Sequence, residues 1–431
     1  MFVYIATLGC KVNQYESQVI MASLSRAGYK ITFDSSKADI FIINSCSVTA
    51  NSDRKTRSLC HRFKRENPDG IIVLTGCMTQ AAADTNSLPE EADIILGNTS
   101  RGEIVPLLRR YLYERQKIVK IDKHRLGDTF EPMTIDRFEG RTRAFVKIED
   151  GCDCYCTYCI IPYARGHIRS KSLEDIEKEV LSLSENGYTE IVLVGINLSC
   201  YGRDLGCTLI DAVRAAAKAP GIKRVRLGSL EPDLMTETLI EGLAAEEKLC
   251  PQFHISLQSG CDRTLGRMNR KYKSEDYMRL VTALRENFAD CSITTDIMVG
   301  FAGETEEEFS ESLAFAKEVG FARTHVFAYS RRKGTAADRL PGQITNAVKE
   351  ERSRIMTRCG EESQNKFMQS QVGRVYPVLI EQPVRDGMLE GYTPNYTKVY
   401  INADPALRGK IVNVKIISAQ LDHCTGEITE E

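Results

Sequence analysis

Six short strand-like runs alternate with helix-like segments from Ala144 onward, and this alternation limits the possible folds more than any other feature of the chain. The runs are AFVKIE, EIVLVGIN, RVRLGSLEP, FHISLQSG, SITTDIMVG and THVFAYS. Alternating strands and helices of this kind indicate a parallel sheet with crossover helices. One helix is clearly marked, because Ser172 is a suitable N-cap, apolar residues follow at helical spacing, and Gly187 ends the segment. The sequence therefore predicts an incomplete (β/α)6 barrel.

The first 100 residues contain three more apolar runs, each ending in a cysteine and each followed by helix-like sequence. They are VYIATLGC, DIFIINSC and GIIVLTGC. This pattern favours a Rossmann-like parallel sheet with crossover helices. Because the carboxyl ends of such strands share one edge, we expect Cys10, Cys46 and Cys77 to converge there. The alternative is that each cysteine packs as a small hydrophobic residue, although three equivalent positions make this less attractive.

Two other segments complete the predicted organisation. A charged stretch from about Arg101 to Arg143 is expected to hold a helix and a linking segment. After a charged helix at Asn346–Ser363, the runs VYPVLIEQ, TKVYINA and KIVNVKIISAQ predict a small C-terminal β-barrel. The predicted fold is α/β, with domains at residues 1–125, 138–365 and 366–431.

Length and composition point to a folded chain of several domains. A chain of 431 residues is too long for one ordinary core. Its contents of 42% hydrophobic and 27% charged residues are typical of globular proteins. We expect a cytoplasmic protein with no membrane association, because the sequence has no signal-peptide pattern and no apolar run of spanning length. A net charge of -2 gives no overall attraction to RNA, so RNA binding would depend on local basic patches.

The cysteine content suggests metal ligation. Fifteen cysteines, an odd number, in a chain without a leader argue against a disulfide framework. Within EDGCDCYCTYCIIPYARG, Cys152, Cys156 and Cys159 form the spacing C-x3-C-x2-C directly after the first predicted barrel strand. Three thiolates on one loop can hold three irons of a four-iron cluster and leave the fourth iron open. The alternative is a structural zinc site with Cys154 as fourth ligand, for which the cysteines are crowded.

This loop resembles that of the radical S-adenosylmethionine (SAM) superfamily, in which the open iron binds the amino and carboxylate groups of SAM. The resemblance implies that a reduced cluster cleaves SAM to a deoxyadenosyl radical. It also implies that the ends of the other strands form the SAM site. The implied SAM-binding residues are Tyr158, Gly195, Asn197, Ser229, Glu231, Gln258, Asp296 and Gly300. For any one strand-end residue, a simple role in a turn is an equally good interpretation.

Three further strings, TLGCKVNQYES, INSCSVTANSDRKTR and LTGCMTQ, extend the resemblance over essentially the whole chain to the methylthiotransferases. This resemblance implies two 4Fe-4S clusters, the second held by Cys10, Cys46 and Cys77, and a C-terminal RNA-binding TRAM domain. It implies that one SAM methylates a sulfur on the N-terminal cluster, while another yields the radical that removes hydrogen from the substrate carbon. The methylthio group then transfers to that carbon. An external electron donor and a sulfur source are implied as partners.

The strings KVNQYES, GINLSCYGRD, HISLQSGCDRTLGRMNRKY and FAYSRRKGTAA most resemble the branch that acts on N6-threonylcarbamoyladenosine at position 37 of tRNA. The implied product is the 2-methylthio derivative. An anticodon-loop base suits this chemistry because it is unpaired and enters a pocket at little cost. Four alternatives stay open: isopentenyladenosine in tRNA, an aspartate of a ribosomal protein, a radical enzyme without the second cluster, and a non-catalytic zinc protein that binds RNA. The sequence departs from the family pattern at Cys154 and at Ala302, where proline is usual.

Candidate RNA contacts lie in two regions. In the C-terminal domain they can stack on or pair with RNA, although an ordinary barrel surface explains them equally well. In the N-terminal domain they form a charge run, which is usually a solvated helix face. The candidates are Tyr392, Tyr396 and Lys398 in the first region and, in the second, Arg54, Lys55 and Arg57 together with the Arg and Lys residues of the segment starting at Arg109.

Overall fold

The computed structural model describes residues 1–47, 49–82, 87–138, 140–384 and 387–429. Val48, within the string INSCSVTANSDRKTR, lies outside the described residues. The chain folds into two compact units. Unit 1 contains Met1–Ile135, Glu149–Lys171 and Ser330–Asp338, and unit 2 contains Asp136–Ile148, Ser172–Tyr329 and the C-terminal part from Arg339.

The strands and helices of the described residues are numbered in chain order. The strands are β1 (Phe2–Thr7), β2 (Lys30–Ile31), β3 (Ile40–Ser45), β4 (Ile71–Gly76), β5 (Ile94–Leu96), β6 (Ile118–Lys120), β7 (Arg143–Lys147), β8 (Glu149–Asp150), β9 (Arg169–Ser170), β10 (Glu190–Val194), β11 (Arg224–Leu227), β12 (Ser229–Leu230), β13 (Gln252–Ile255), β14 (Ser292–Val299), β15 (Arg323–Ala328), β16 (Val375–Pro383), β17 (Leu389–Tyr392), β18 (Lys398–Ile401), β19 (Ile411–Ala419) and β20 (Cys424–Ile428). The α-helices are α1 (Lys11–Arg26), α2 (Ala50–Glu66), α3 (Cys77–Ala81), α4 (Ile104–Glu114), α5 (Ile161–Arg165), α6 (Leu173–Glu185), α7 (Leu209–Ala217), α8 (Glu237–Ala244), α9 (Asp262–Arg267), α10 (Ser274–Asn287), α11 (Glu306–Val319) and α12 (Asn346–Ser370).

Unit 1 is built on a six-stranded parallel sheet with the order β2-β1-β3-β4-β5-β6. The three strands predicted from the cysteine-terminated runs are confirmed as β1, β3 and β4. Strand β3 is buried on both faces, since Ile42 packs with Leu24 of α1 while Phe41 packs with Phe63 of α2 on the other side. Burial on both faces explains why these runs are continuously apolar rather than alternating.

The segment predicted to link the first two domains is partly a piece of the sheet. The expected helix is present as α4, but the residues after it form β6, which pairs with β5 at the edge of the sheet. Strands of two or three residues such as β2, β5 and β6 are too short to carry a readable hydrophobic pattern. Their place in the sheet depends on pairing, of β2 with β1, of β5 with β4 and of β6 with β5, rather than on their own sequence.

The central part of unit 2 is an open array of parallel strands. One sheet has the order β11-β10-β7 and the next has the order β12-β13-β14-β15. Gly228 separates β11 from β12, and its N–H donates to the Leu193 carbonyl at 2.8 Å. Among the described strands, β7 and β15 do not pair, so the predicted incomplete barrel is confirmed. Ser172 caps α6 as predicted, with its Oγ accepting the Asp175 N–H at 3.1 Å.

The C-terminal part of unit 2 is a closed five-stranded barrel in the order β16-β17-β18-β20-β19, which confirms the predicted small β-barrel. Its apolar core includes Ile380, Val399 and Val414. The predicted helix at Asn346–Ser363 is present but is longer, because α12 continues to Ser370. The extra residues are mostly polar, and Met368 packs into the barrel core, so tertiary packing extends the helix beyond its sequence signal.

The barrel packs against the amino-terminal ends of the central strands. Arg224, the first residue of β11, donates to the carbonyl of Tyr392 at 3.1 Å, and Arg226 donates to the carbonyl of Pro394 at 2.9 Å. Ser292, the first residue of β14, donates to the carbonyl of Asn395 at 2.6 Å.

Glu190 lies at the centre of this packed end. Its side chain is fully buried as the first residue of β10, with Arg226 Nε at 3.0 Å, Arg224 Nη1 at 3.4 Å and Arg143 Nη1 at 3.8 Å. Burial alone raises the pKa of Glu190, but the charges of Arg226, Arg143 and Arg224 more than offset this and hold the pKa below its ordinary value. Glu190 is therefore a buried carboxylate that neutralises part of an arginine cluster.

Within the described residues, no helix combines the length and the apolar character that a membrane span requires.

Candidate functional site

Cys10, Cys46 and Cys77 follow three strands that are neighbours in the sheet of unit 1, namely β1, β3 and β4. Cys10 is the N-cap of α1, and Cys77 is the first residue of α3. Cys46 and Cys77 are buried, while Cys10 keeps exposed surface. The adjacency of the three strand ends agrees with the sequence analysis, and the role of the thiols as ligands stays a prediction.

Glycines next to two of these cysteines allow the chain to approach closely. Gly9 has φ +101°, and a Cβ on it would lie 2.8 Å from Cys46 Sγ. Gly76 has φ +104°, and a Cβ on it would lie 2.3 Å from the Ser45 carbonyl oxygen and 2.6 Å from the Ser45 nitrogen. Only glycine satisfies both the backbone conformation and the lack of space. The strand ends are therefore packed too tightly for any side chain at these two positions.

Gly76→Ala is expected to destabilise unit 1 by about 3 kcal/mol or more, because the added Cβ combines backbone strain with a clash against main-chain atoms that cannot move away. Urea unfolding followed by circular dichroism measures the loss. The matched control is Gly28→Ala in the same unit, where φ is +91° but an added Cβ meets nothing within 4 Å. That change should cost only about 1–2 kcal/mol. Equal losses for the two variants would contradict the clash at Ser45.

A buried arginine that the sequence analysis missed contacts the cysteine edge. Arg165 is the last residue of α5, has no exposed surface, and places Nε 3.4 Å from Cys77 Sγ. Its Nη2 donates to Asn13 Oδ1 at 2.7 Å, and its Nη1 donates to Glu16 Oε1 at 2.7 Å and to Asp150 Oδ1 at 3.1 Å. A charged residue inside the otherwise apolar string IIPYARG was the available signal. The segment that carries C-x3-C-x2-C therefore also contacts one of the N-terminal cysteines.

A second buried arginine balances the acidic groups around Arg165. Arg101 Nη1 lies 2.8 Å from Glu16 Oε2, and its Nη2 lies 3.2 Å from Glu131 Oε2. Burial lowers the pKa of Arg165, but the neighbouring Cys77, Glu16 and Asp150 side chains raise it well above its ordinary value. The two guanidinium groups and the nearby carboxylates therefore form a nearly neutral buried network.

Cys10 retains exposed surface, yet the atoms packed around its thiol desolvate it and raise its pKa to about 11, against the attraction of Arg165. A thiol with this pKa is protonated at neutral pH. Binding of a metal by Cys10 would therefore release a proton.

The predicted cluster loop lies between β8 and α5 in unit 1. Cys152, Cys156 and Cys159 are all partly exposed. The Cys159 N–H donates to the Cys156 carbonyl at 2.9 Å, and the Ile161 N–H donates to Cys159 Sγ at 3.4 Å. Main-chain donors to sulfur and solvent access of this kind suit the thiolate ligands of an iron-sulfur cluster. Tyr158 and Cys154 are also partly exposed in this loop.

In the part of the chain that the structure describes, no group of three His, Cys, Asp or Glu side chains is arranged to hold a single metal ion. Thiolates that bind different irons of one cluster stand farther apart than the ligands of one ion. The assignment of either cysteine set to an iron-sulfur cluster stays a prediction.

The predicted SAM-binding residues of unit 2 lie in or after the central strands. Asn197 is buried, Ser229 is exposed, and the remainder are partly exposed or are glycines near the strand ends. Gly195 and Asn197 follow β10, Ser229 and Glu231 lie at β12, Gln258 follows β13, Asp296 lies within β14, and Gly300 follows β14. Parallel strands bring these positions toward the same side of the array. Their role as SAM contacts stays a prediction.

Three of these residues have structural partners. Glu231 is paired with Arg270, whose Nη2 lies 2.5 Å from Glu231 Oε2. Gly300 has φ +69°, and a Cβ on it would lie 2.4 Å from Lys349 Cγ. Gln258 has φ +64°, and its N–H donates to the Asp296 carbonyl at 2.8 Å. Glycine at position 300 is therefore needed for packing against α12, whatever its other role.

Polar side chains near Asp296 were missed by the sequence analysis. His254 Nε2 lies 3.4 Å from Asp296 Oδ2, and its Nδ1 lies 2.9 Å from Thr294 Oγ1. The ring of His325, which pairs in register with Asp296, lies 5.9 Å from the ring of His254. The period-two alternation of SITTDIMV, with polar Thr294 and Asp296 on one face, was the signal for this polar group.

The two candidate RNA regions differ in their surroundings. Tyr392 and Tyr396 stack on each other at 4.8 Å, and Arg143 lies over both rings at 4.8 and 5.0 Å. This packing accounts for the two tyrosines without RNA. Arg54 and Lys55 are exposed on α2.

Three family models match the chain in succession. An uncharacterised protein family, UPF0004, matches residues 2–99, the radical SAM superfamily matches residues 146–316, and the TRAM domain matches residues 369–429. The radical SAM match implies a 4Fe-4S cluster and SAM as cofactors. The three matches follow one another along the chain without overlap.

The fold of the chain is similar to that of the radical SAM methyltransferase TsrM from Kitasatospora setae, solved with cobalamin and a 4Fe-4S cluster bound. The TM-score is 0.55 at 14% sequence identity, over 78% of this chain and 73% of that one. At this identity the likeness concerns the fold alone.

Two relatives match this chain over nearly their whole length and at higher sequence identity. The threonylcarbamoyladenosine tRNA methylthiotransferase MtaB of Thermotoga maritima is 39% identical, over 92% of this chain and 90% of that protein. The tRNA-2-methylthio-N(6)-dimethylallyladenosine synthase of Clostridium tetani is 36% identical, over 96% of this chain and 93% of that protein. Identity at this level over nearly the whole of both proteins shows that the chain belongs to the radical SAM methylthiotransferase family of enzymes.

Proposed function

We propose that this enzyme converts N6-threonylcarbamoyladenosine at position 37 of tRNA into its 2-methylthio derivative. The observation that carries the proposal is the contact between Arg165, on the segment of the C-x3-C-x2-C loop, and Cys77 at the edge that also ends in Cys10 and Cys46. Two sets of three cysteines in one compact unit support an enzyme that combines a radical initiator with a sulfur donor. The full-length likeness to MtaB supports the nucleoside.

We propose that the protein holds two 4Fe-4S clusters. Cys152, Cys156 and Cys159 would hold the cluster that binds SAM, and Cys10, Cys46 and Cys77 would hold the second. When bound, these clusters and SAM would supply the radical and the methylthio sulfur. A radical is chemically necessary because the C–H bond of the adenine ring is too strong and too weakly acidic for a general base.

The protein's own residues would bind and orient SAM at the ends of the central strands. The proposed contacts are Tyr158, Gly195, Asn197, Ser229, Glu231, Gln258, Asp296 and Gly300. Among them, Glu231 is held in place by Arg270, and Asp296 is held beside His254. Polar groups fixed in this way can bind a cofactor without reorganisation at the moment of reaction.

We propose that each of three domains has its own role. Residues 1–125 would hold the second cluster, residues 138–365 would carry the radical chemistry, and residues 366–431 would bind tRNA. A tRNA substrate is consistent with a cytoplasmic enzyme. The reaction also needs an external electron donor and a source of sulfur, because each turnover consumes both.

A second candidate is the same reaction on dimethylallyladenosine. The relative from Clostridium tetani, named as a synthase of the 2-methylthio derivative of that nucleoside, supports it with 36% identity over most of both chains. The two substrates differ strongly in chemistry, since one carries a carboxylate and a hydroxyl and the other a hydrocarbon chain.

A direct assay separates the two candidates. The anaerobically reconstituted enzyme is supplied with SAM, a reductant and either of two tRNAs, one carrying threonylcarbamoyladenosine and the other dimethylallyladenosine. We expect mass spectrometry of the digested nucleosides to show a 2-methylthio product from the first tRNA only, at a yield at least tenfold above that from the second. The Cys152→Ala, Cys156→Ala, Cys159→Ala variant is the blank. Product from the second tRNA alone would overturn the proposed substrate.

A further inference from the structure

We propose that Arg165 is a positioning residue for the Cys10, Cys46 and Cys77 site, where its guanidinium group donates a hydrogen bond to the Cys77 sulfur and makes the cluster bound there easier to reduce. The inference rests on the proposed function to the extent that this site holds a four-iron cluster. It concerns a residue outside both cysteine sets.

The position of Arg165 is set by burial and by the packing of two short helices. Helix α5, which ends at Arg165, packs against α3, which begins at Cys77. The side chain has no exposed surface, and Nε lies 3.4 Å from Cys77 Sγ. A charged donor at this distance from sulfur, shielded from water, forms a stronger hydrogen bond than the same pair at the surface.

Asn13 extends the reach of Arg165 to the other two strand ends. Asn13 Oδ1 accepts from Arg165 Nη2 at 2.7 Å, which leaves the amide nitrogen to donate to the Leu8 carbonyl at 2.7 Å and to the Ser45 carbonyl at 3.0 Å. Cys10 Sγ lies 3.9 Å from the same Oδ1. Arg165 therefore orients an amide that joins the end of β1 to the end of β3.

Acidic groups hold the guanidinium in one orientation. Glu16 accepts two of its hydrogen bonds, from Nη1 at 2.7 Å and from Nη2 at 3.1 Å, and Asp150 accepts a third at 3.1 Å. Arginine presents its donors in a fixed plane, whereas lysine carries a single ammonium group that cannot reach Glu16, Asn13 and Cys77 together. A lysine at this position would keep the charge but lose the bond to sulfur.

The expected consequence is a shift in reduction potential. Reduction adds negative charge to an iron-sulfur cluster, and hydrogen bonds to its sulfurs are among the features that set its potential. A donor to Cys77 stabilises the reduced state more than the oxidised state. Loss of the donor should therefore move the potential to a more negative value.

The test uses the Cys152→Ala, Cys156→Ala, Cys159→Ala variant, which keeps only the proposed second site. Arg165→Lys is added, iron is counted, and the reduction equilibrium is measured by redox titration followed by electron paramagnetic resonance. We expect retained iron and a reduction equilibrium about tenfold less favourable, which is about 59 mV for one electron. The matched control is Arg169→Lys, since Arg169 is a buried arginine on the same segment that donates to the His167 carbonyl at 2.8 Å and pairs with Asp150 at 3.6 Å. This control removes a guanidinium group beside Asp150 but leaves the Arg165 donor to Cys77 in place.

A second measurement has its deciding outcome in the triple variant itself, in which Arg165 is unchanged. The triple variant is labelled with 15N-arginine, and electron-nuclear double resonance is recorded on the reduced cluster. We expect a nitrogen coupling that persists in Arg169→Lys and is lost in Arg165→Lys. Absence of the coupling from the triple variant itself would overturn the role of Arg165, as would an unchanged potential in Arg165→Lys. Absence of iron from the triple variant would overturn both the second cluster and this role.

Discussion

Replacing Cys152, Cys156 and Cys159 together with alanine is expected to abolish the cleavage of SAM while about half of the iron remains in the protein. The three thiols lie on one loop, so their loss removes every proposed protein ligand of the cluster that binds SAM. Anaerobic reconstitution should give about eight irons per chain for the parent protein and about four for the variant. Iron and sulfide counts, with chromatography of 5′-deoxyadenosine, measure both effects.

The reciprocal variant makes the assignment specific. Cys10→Ala, Cys46→Ala, Cys77→Ala should also lose about four irons but should still cleave SAM, because the loop cluster is left intact. Cys60→Ala is the control, since Cys60 is a buried cysteine that packs in the apolar core of unit 1. A parent protein with about four irons, all lost from the loop variant, would remove the second cluster from the proposal. Bound zinc without iron would contradict the radical reaction altogether.

Glu190→Gln is expected to lower the free energy of unfolding of unit 2 by about 3–5 kcal/mol. The carboxylate is fully buried, and three arginines lie within 3.8 Å of it. Glutamine keeps the shape of the side chain but removes the anion beside Arg224 and Arg226 in a region of low dielectric, whereas Arg143 keeps its pair with Glu381. Urea unfolding measures the loss, and proteolysis should cleave the C-terminal barrel from unit 2 sooner, because Arg224 and Arg226 also bind its carbonyl groups.

An exposed ion pair in the same unit provides the control for Glu190. Glu275 pairs with Arg279 at 2.9 Å on α10, and both side chains are more than half exposed. Glu275→Gln should therefore change stability by about 0.5 kcal/mol or less. Because the pKa of Glu190 lies below its ordinary value, the ionised carboxylate stabilises the folded state at neutral pH. This stabilisation is lost as acid protonates the carboxylate at pH values below the ordinary pKa. Similar losses for Glu190→Gln and Glu275→Gln would contradict the buried cluster.

Much of the fold follows from local pattern. Continuous apolar runs predicted β1, β3 and β4, and alternation of strands with helices predicted the open central array. These signals are readable because burial on two faces demands apolar residues at every position, and because a crossover helix demands a period of 3.6. Strands β5 and β6 escaped prediction, since three residues in each cannot display a period.

Part of the candidate site also follows from local sequence, and part does not. The spacing of Cys152, Cys156 and Cys159 is local, and the placement of Cys10, Cys46 and Cys77 at strand ends follows from the parallel topology. Asp296 was predicted, but its neighbours His254 and Thr294 were not, because a histidine on a strand gives no indication of its partners on the next strand. Strand register supplies those partners, and it depends on the whole sheet.

Chain order and short-range pattern therefore determined which residues end strands, which loop carries the C-x3-C-x2-C spacing, and which family the protein resembles. Tertiary structure alone decided that Arg165 contacts Cys77, 88 positions earlier in the chain, and that Glu190 gathers three arginines from two other strands. The physical reason is that hydrophobic periodicity reports the burial of a residue relative to its near neighbours, whereas a buried charge is stable only beside a counter-charge. The packing of distant segments places the counter-charge beside the buried charge, and a short stretch of sequence contains no information about that packing.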